Sequence, residues 1–167
     1  MSAPRSTATA TDLPPFPNPS PSWSQDHPKH PGWLMQGVDD TPGRKAYFIQ
    51  LEARPGKEEL VAAFLRDINA GVDKEPGTGP WFGLRYSKTS FAIFEAFPDA
   101  AARHDHDRGP GGVNFKRADL LKDMLAHPAQ LYRLDVLHGK FGTMFGQSVS
   151  PVAESVTTEG ASERAKV

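Results

Sequence analysis

Residues 45–72 read KAYFIQLEARPGKEELVAAFLRDINAGV, and this stretch decides the fold class. Lys45 to Ala53 is rich in aromatic and β-branched residues and is closed by Arg54-Pro55-Gly56, the pattern of a strand running into a turn. From Gly56 to Val72 the period changes. Leu60, Val61, Phe64, Leu65, Ile68 and Val72 fall three and four apart, which predicts a helix with one buried face. Asn69 and Gly71 supply its stop signal.

Working outward towards the C-terminus, Glu75-Pro76-Gly77-Thr78-Gly79 is a turn and Trp81 to Tyr86 a second strand. Pro80 has no N–H to give a sheet ladder and belongs at that strand's start. Ser87-Lys88-Thr89 joins it to a third strand, Ser90 to Phe97, as a hairpin. Asp99 caps a short helix through Ala100, Ala101 and Ala102 to about His106, and Arg108-Gly109-Pro110-Gly111-Gly112 breaks it. A further helix is predicted from about Asn114 to Ala126, on the stripe Leu120, Leu121, Met124 and Leu125, and Gln130 to His138 is the last strand. The order β-α-β-β-α-β is the split βαβ pattern of a ferredoxin-like α+β sheet.

Such a sheet carries helices on one face, so its other face must be covered by something else. Tyr47, Phe48, Ile49 and Leu51, like Phe91, Ala92, Ile93 and Phe94, do not alternate cleanly with polar residues. Near-continuous apolar runs imply strands buried on both sides. In a chain this short the second cover is most economically another copy, so a homodimer is expected. Towards the N-terminus, residues 1–43 hold nine prolines and read as an irregular arm in which neither a helix nor a central strand can persist. Trp23, Trp33, Leu34 and Met35 make that arm too apolar for a solubilising tail, and it is expected to dock. Residues 44–141 form the domain, and the polar stretch 142–167 reads as a flexible tail.

Lys and Arg number 19 and Asp and Glu 20, a net charge of -1, which argues against a nucleic-acid or anionic-membrane binder. There is no cysteine, so thiolate nucleophiles, disulfide frameworks and Cys-ligated metals are excluded. No stretch approaches the roughly 20 apolar residues of a membrane span, and residues 1–22 lack the apolar block of a secretory signal. Their Ser, Thr and Ala with one Arg and one Asp leave a transit peptide open, but the plain expectation is a cytoplasmic protein.

Ala53-Arg54-Pro55-Gly56-Lys57, Glu75-Pro76-Gly77-Thr78, Phe94-Glu95-Ala96-Phe97 with Asp99, and Asp135-Val136-Leu137, in this order and spacing, resemble the antibiotic biosynthesis monooxygenase family. The likeness runs from Tyr47 to Lys140. It implies a dimeric α+β barrel with a pocket between each sheet and its helices, and it matches Glu95 and His106 to the family's strand glutamate and helix histidine. The implied activity is cofactor-independent monooxygenation of a quinol or phenolic aromatic. The non-catalytic alternative is a dimeric small-molecule-binding or assembly module. Heme degradation stands behind both, because that branch needs a tryptophan where this strand has Phe94 and Phe97.

Within this reading His106 is the candidate base, on a helix whose small Ala100 to Ala102 allow close approach to the sheet, and it is expected to titrate near neutrality. Glu95 lies among apolar neighbours, where a carboxylate is either paired or proton-handling. Pairing with Arg85 or Arg133 at a dimer interface is the structural alternative. Trp81, Arg85, Phe94 and Gln50 are the candidate substrate contacts, although aromatics here also serve as core. No cofactor or metal is expected. In His104-Asp105-His106, helical neighbours two apart diverge by about 200° and do not reach one ion, and His27 and His30 lack further ligands. The Gly109–Gly112 stretch reads as a mobile rim or lid.

Overall fold

The computed structural model describes residues 21–139; the C-terminal tail and the first part of the arm lie outside them. Five strands and three helices follow in the order β1 (Trp33–Gly37), β2 (Lys45–Glu52), α1 (Glu58–Val72), β3 (Trp81–Arg85), β4 (Ser90–Phe97), α2 (Ala100–Arg108), α3 (Ala118–Met124) and β5 (Ala129–Asp135). The sheet order is β1-β5-β2-β4-β3. Its last four members are the ferredoxin-like sheet read from the sequence, antiparallel throughout.

β1 is the addition the proline reading does not foresee. It pairs parallel with β5, Trp33 opposite Ala129 and Gly37 opposite Arg133, at an edge. An edge strand uses one side of its backbone, and none of its five residues is a proline, so neighbouring Pro28, Pro31 and Pro42 do not forbid it. The arm is docked as expected: Trp23 and Trp33 pack on the core, and Trp33 meets Phe115 edge-on at 6.3 Å between centroids.

All helices lie against one face. There β2 offers Tyr47, Ile49, Leu51 and Ala53, and β4 offers Phe91, Ile93 and Phe97, to Val61, Phe64, Leu65 and Ile68 of α1 and to Leu121 and Met124 of α3. The helix predicted from Asn114 is two elements: a 3-10 turn over Gly112–Lys116, then α3 from Ala118. Arg117, at φ -81° and ψ 61°, leaves the helical region and makes the break.

The other face is only half-buried, which modifies the both-faces reading: the strands do alternate, but with apolar residues on each side. Across four strands the register aligns Phe82, Phe94, Phe48 and Tyr132 in one row, and Leu84, Ala92, Gln50 and Gln130 in the next. Phe82 and Leu84 are each 44% exposed.

Asp99 caps α2, its Oδ1 accepting the Ala102 N–H at 2.8 Å. Asp99→Ala is expected to cost about 1 kcal/mol, the usual value of one N-cap. A thermal midpoint unchanged by the substitution would mean the cap contributes nothing.

Candidate functional site

The cap sets the phase of α2, and the phase aims His106 inward. His104 and His106 point apart: His104 Nε2 lies 2.8 Å from the Asp40 carboxylate at the half-exposed side, whereas His106 is 5% exposed. A shared ion between them is excluded by this divergence. Among the described residues no group of three or more His, Asp or Glu side chains is placed to hold a metal.

His106 is held by two carboxylates. Nδ1 lies 2.6 Å from Glu75 Oε2 and Nε2 lies 3.2 Å from Glu95 Oε1. Both ring nitrogens therefore act as donors, which is the imidazolium form. Burial by itself would lower the pKa. The charge of Glu95 and the hydrogen bonds to Glu75 and Glu95 outweigh that and push it up to about 10. This corrects the expectation of a base titrating near neutrality: at pH 7 the ring carries its proton and has no free lone pair.

Glu75 was legible only as a turn residue. It is drawn in by three donors: His106 Nδ1, the Thr78 hydroxyl at 2.8 Å and the Gly111 N–H at 2.6 Å. Burial raises its pKa, but the bonds from His106 and Gly111 hold it below the usual carboxylate range. Gly111 is needed for this closure, since a Cβ there would come within 2.7 Å of Val72 Cγ2 and 3.1 Å of His106 Cε1. The Gly109–Gly112 loop is thus tied down over the histidine, and the lid reading is replaced by a seal. The one sequence signal for Glu75 was its place in the Glu-Pro-Gly-Thr motif.

Glu95 pairs with His106 on the helix-facing side, and the structural alternative with Arg85 or Arg133 does not hold. Its second oxygen, Oε2, is buried with no hydrogen-bond partner among the described residues. Tyr47 and Phe97 wall the cluster, their centroids 6.3 and 5.2 Å from the His106 ring. Tyr47 donates its hydroxyl to Asp107 at 2.9 Å, and burial with the Asp107 charge pushes its pKa up. Arg103, fully buried, lies over the Tyr47 ring and bonds Asp40 at 2.6 Å.

The other candidates do not gather at His106. Trp81 lies on the helix-facing side, packed on the core, with its Nε1 buried and unpartnered among the described residues. Gln50 and Phe94 are on the opposite face, separated from His106 by the sheet itself. Gln50 lines a cavity of about 680 Å³ there, at the end where β3 turns into β4. Arg85 also borders it, but its register with Phe91 and its bond to Glu59 of α1 put its guanidinium on the helix-facing side. Ala92 explains the hollow, a small residue in a row between Leu84 and Gln50. The wall also includes Phe48, Glu52, Ser90, Gln130 and His127, and His106 is not part of it.

No protein-family model matches the sequence, and no curated protein matches it. Solved structures do. A protein of unknown function from Nitrosomonas europaea is 31% identical, with TM-score 0.52, over 59% of this chain and 93% of that one. The Rv0793 protein of Mycobacterium tuberculosis is 18% identical, with TM-score 0.52, over 57% and 97%. A candidate antibiotic biosynthesis monooxygenase from Nitrosomonas europaea is 18% identical, with TM-score 0.50, over 56% and 99%. With the β2-to-β5 topology and the helices on one face, these likenesses show that the chain has the ferredoxin-like α+β fold, which it shares with a candidate antibiotic biosynthesis monooxygenase.

Proposed function

We propose that this protein is a dimeric small-molecule-binding module that takes a flat quinol or phenolic ring on the half-buried face of its sheet. The observation that carries the reading is the 680 Å³ cavity, inside the roughly 300–1,000 Å³ span of small-molecule sites. Its apolar walls, Phe48, Leu84 and Ala92, suit a ring face. Gln50 and Gln130 suit oxygen substituents at the ring edge. Isothermal titration with hydroxylated naphthalenes should detect binding to the full chain, and Leu84→Glu, which puts a charge into the wall, should abolish it. Equal binding by both would place the ligand elsewhere.

A second copy is the proposed cover of this face. The row Phe82, Phe94, Phe48 and Tyr132 is an aromatic strip broad enough to bury against its own image, and strips of this kind on a soluble chain mark interaction surfaces. Light scattering should give about twice 18.2 kDa, and Phe82→Glu with Leu84→Glu should return the chain mass. A folded wild-type monomer would overturn the dimer.

The second reading is cofactor-independent oxygenation of the bound quinol, favoured by the shared monooxygenase fold. In that chemistry the substrate supplies the electrons. One atom of dioxygen enters the ring, the other leaves as water, and the quinol ends as a hydroxyquinone. The engaged, protonated state of His106 removes it as the base, so binding takes precedence over oxygenation. Oxygen uptake by the wild type with a quinol that it binds would restore the enzymatic reading, and binding without uptake would leave the module.

A further inference from the structure

We propose that His127 takes the proton of a ring hydroxyl held in the sheet-face cavity, while the amides of Gln130 and Gln50 hold the oxygen that loses it. The inference rests on the binding reading above and adds its chemistry. His127 lies in the connection from α3 to β5, half-buried, and lines the cavity. Its Nδ1 is 3.0 Å from the Pro128 carbonyl oxygen. A carbonyl oxygen accepts and never donates, so Nδ1 carries the hydrogen and the lone pair of the neutral ring is on Nε2. Nε2 enters none of the hydrogen bonds or ion pairs described. The two histidines thus divide: His106 has both nitrogens spent on carboxylates, and His127 has one nitrogen anchored to the backbone and one with no partner among the described residues.

The receiving amides are arranged by the sheet. Gln130 stands opposite Gln50 in the β2–β5 register, and both line the cavity. Gln130 Oε1 accepts the Tyr132 hydroxyl at 2.9 Å, which fixes the amide and leaves its NH2 as the donor end. The charged groups lining the same cavity are Glu52 and Arg85. Glu52 accepts the Ser90 hydroxyl at 2.6 Å, and Arg85 is bonded to Glu59 at 3.2 Å. In the step itself the ligand O–H bond breaks, an N–H bond forms at His127 Nε2, and the electron pair stays on oxygen, facing the amide donors. No oxidant is required. The ligand class is a planar aromatic carrying one ionisable hydroxyl.

The test uses 4-nitrophenol, whose phenolate has its own visible absorption band, added to the full chain below the pH at which the free probe ionises. Binding to the wild type should bring up the phenolate band, with the bound probe's apparent pKa lowered by about one unit, a tenfold gain in ionised fraction. His127→Gln should bind the probe within about tenfold of the wild type and lose the band. Leu84→Glu should lose both. His104→Gln, on the far side of α2, should change neither. A band of full strength in His127→Gln would overturn the assignment and, if lost in Glu52→Gln, move the proton to Glu52. Binding to the wild type without the band would overturn proton transfer while leaving the cavity reading intact. Absence of binding by 4-nitrophenol and by the hydroxynaphthalenes would overturn the cavity reading, and this inference with it.

Discussion

Replacing His106 with alanine is expected to lower the stability of the fold by about 3–5 kcal/mol, the usual cost of removing one partner of a buried ion pair. The reason is what remains. Glu75 and Glu95 are nearly buried on either side of the ring, and without the imidazolium each would be a carboxylate facing the other's charge across a void. Urea denaturation of the two proteins measures the difference directly. A midpoint shift of only a few tenths of a molar unit would mean that the cluster is not structural. The pH dependence gives an independent check of sign. A histidine pKa raised from 6.5 to about 10 contributes stability in full below about pH 6.5, and loses it as pH rises through 10. The gap between wild type and His106→Gln should therefore be wide at neutral pH and close towards pH 10. Glu75 works in the other direction: its lowered pKa contributes above the ordinary carboxylate value and is lost as pH falls through the lowered one. A gap that widens with alkalinity would mean that the ring is neutral in the folded protein.

Gly71→Ala is expected to destabilise the protein by about 1–2 kcal/mol, against the direction that helix propensity alone predicts. Gly71 lies near the end of α1, where alanine would gain about 1 kcal/mol of propensity. Its added Cβ, however, would come within 2.4 Å of the Pro110 carbonyl oxygen and 2.6 Å of the Gly111 nitrogen. Those are backbone atoms and cannot rotate aside, so overpacking of about 1–3 kcal/mol or more decides the sign. The displaced segment is the one that closes over Glu75. The same variant should therefore narrow the pH window of stability as well as lower the thermal midpoint. A stabilised variant would show that α1 and the glycine loop are not in contact.

The parts of this fold that were legible in the sequence are those where local chemistry and tertiary role agree. Ser90–Phe97 is a strand with the bounds read from its residues, because Pro98 and Asp99 stop it and cap the next helix. The Glu95–His106 pair was suggested by a family-like spacing, and the geometry brings the two together. What was not legible depends on partners distant in sequence. Nothing near Glu75 announces that a glycine loop and a histidine will converge on it. The strand β1 was hidden by its proline-rich surroundings, since proline counts describe a segment and not which side of a strand is bonded. Apolar runs in β2 and β4 showed that both faces carry hydrophobic residues, but not that Ala92 would leave a hollow on one of them. Protonation was the deepest miss. Sequence shows a histidine and a glutamate, whereas the charge of the ring is set by the number of carboxylates that reach it.

The placement of β5 between β1 and β2 has a consequence for how the protein is made. Among the described residues β1 is the first strand to leave the ribosome, and its one strand partner there is β5, the last of them. At roughly 5–20 residues per second, synthesis leaves Trp33, Leu34 and Met35 without their partner for on the order of ten seconds. Pairings this distant in sequence form late. A chain interrupted before Ala129 therefore loses two strands from the sheet, the missing one and the one already made, and bares the inner edge of β2.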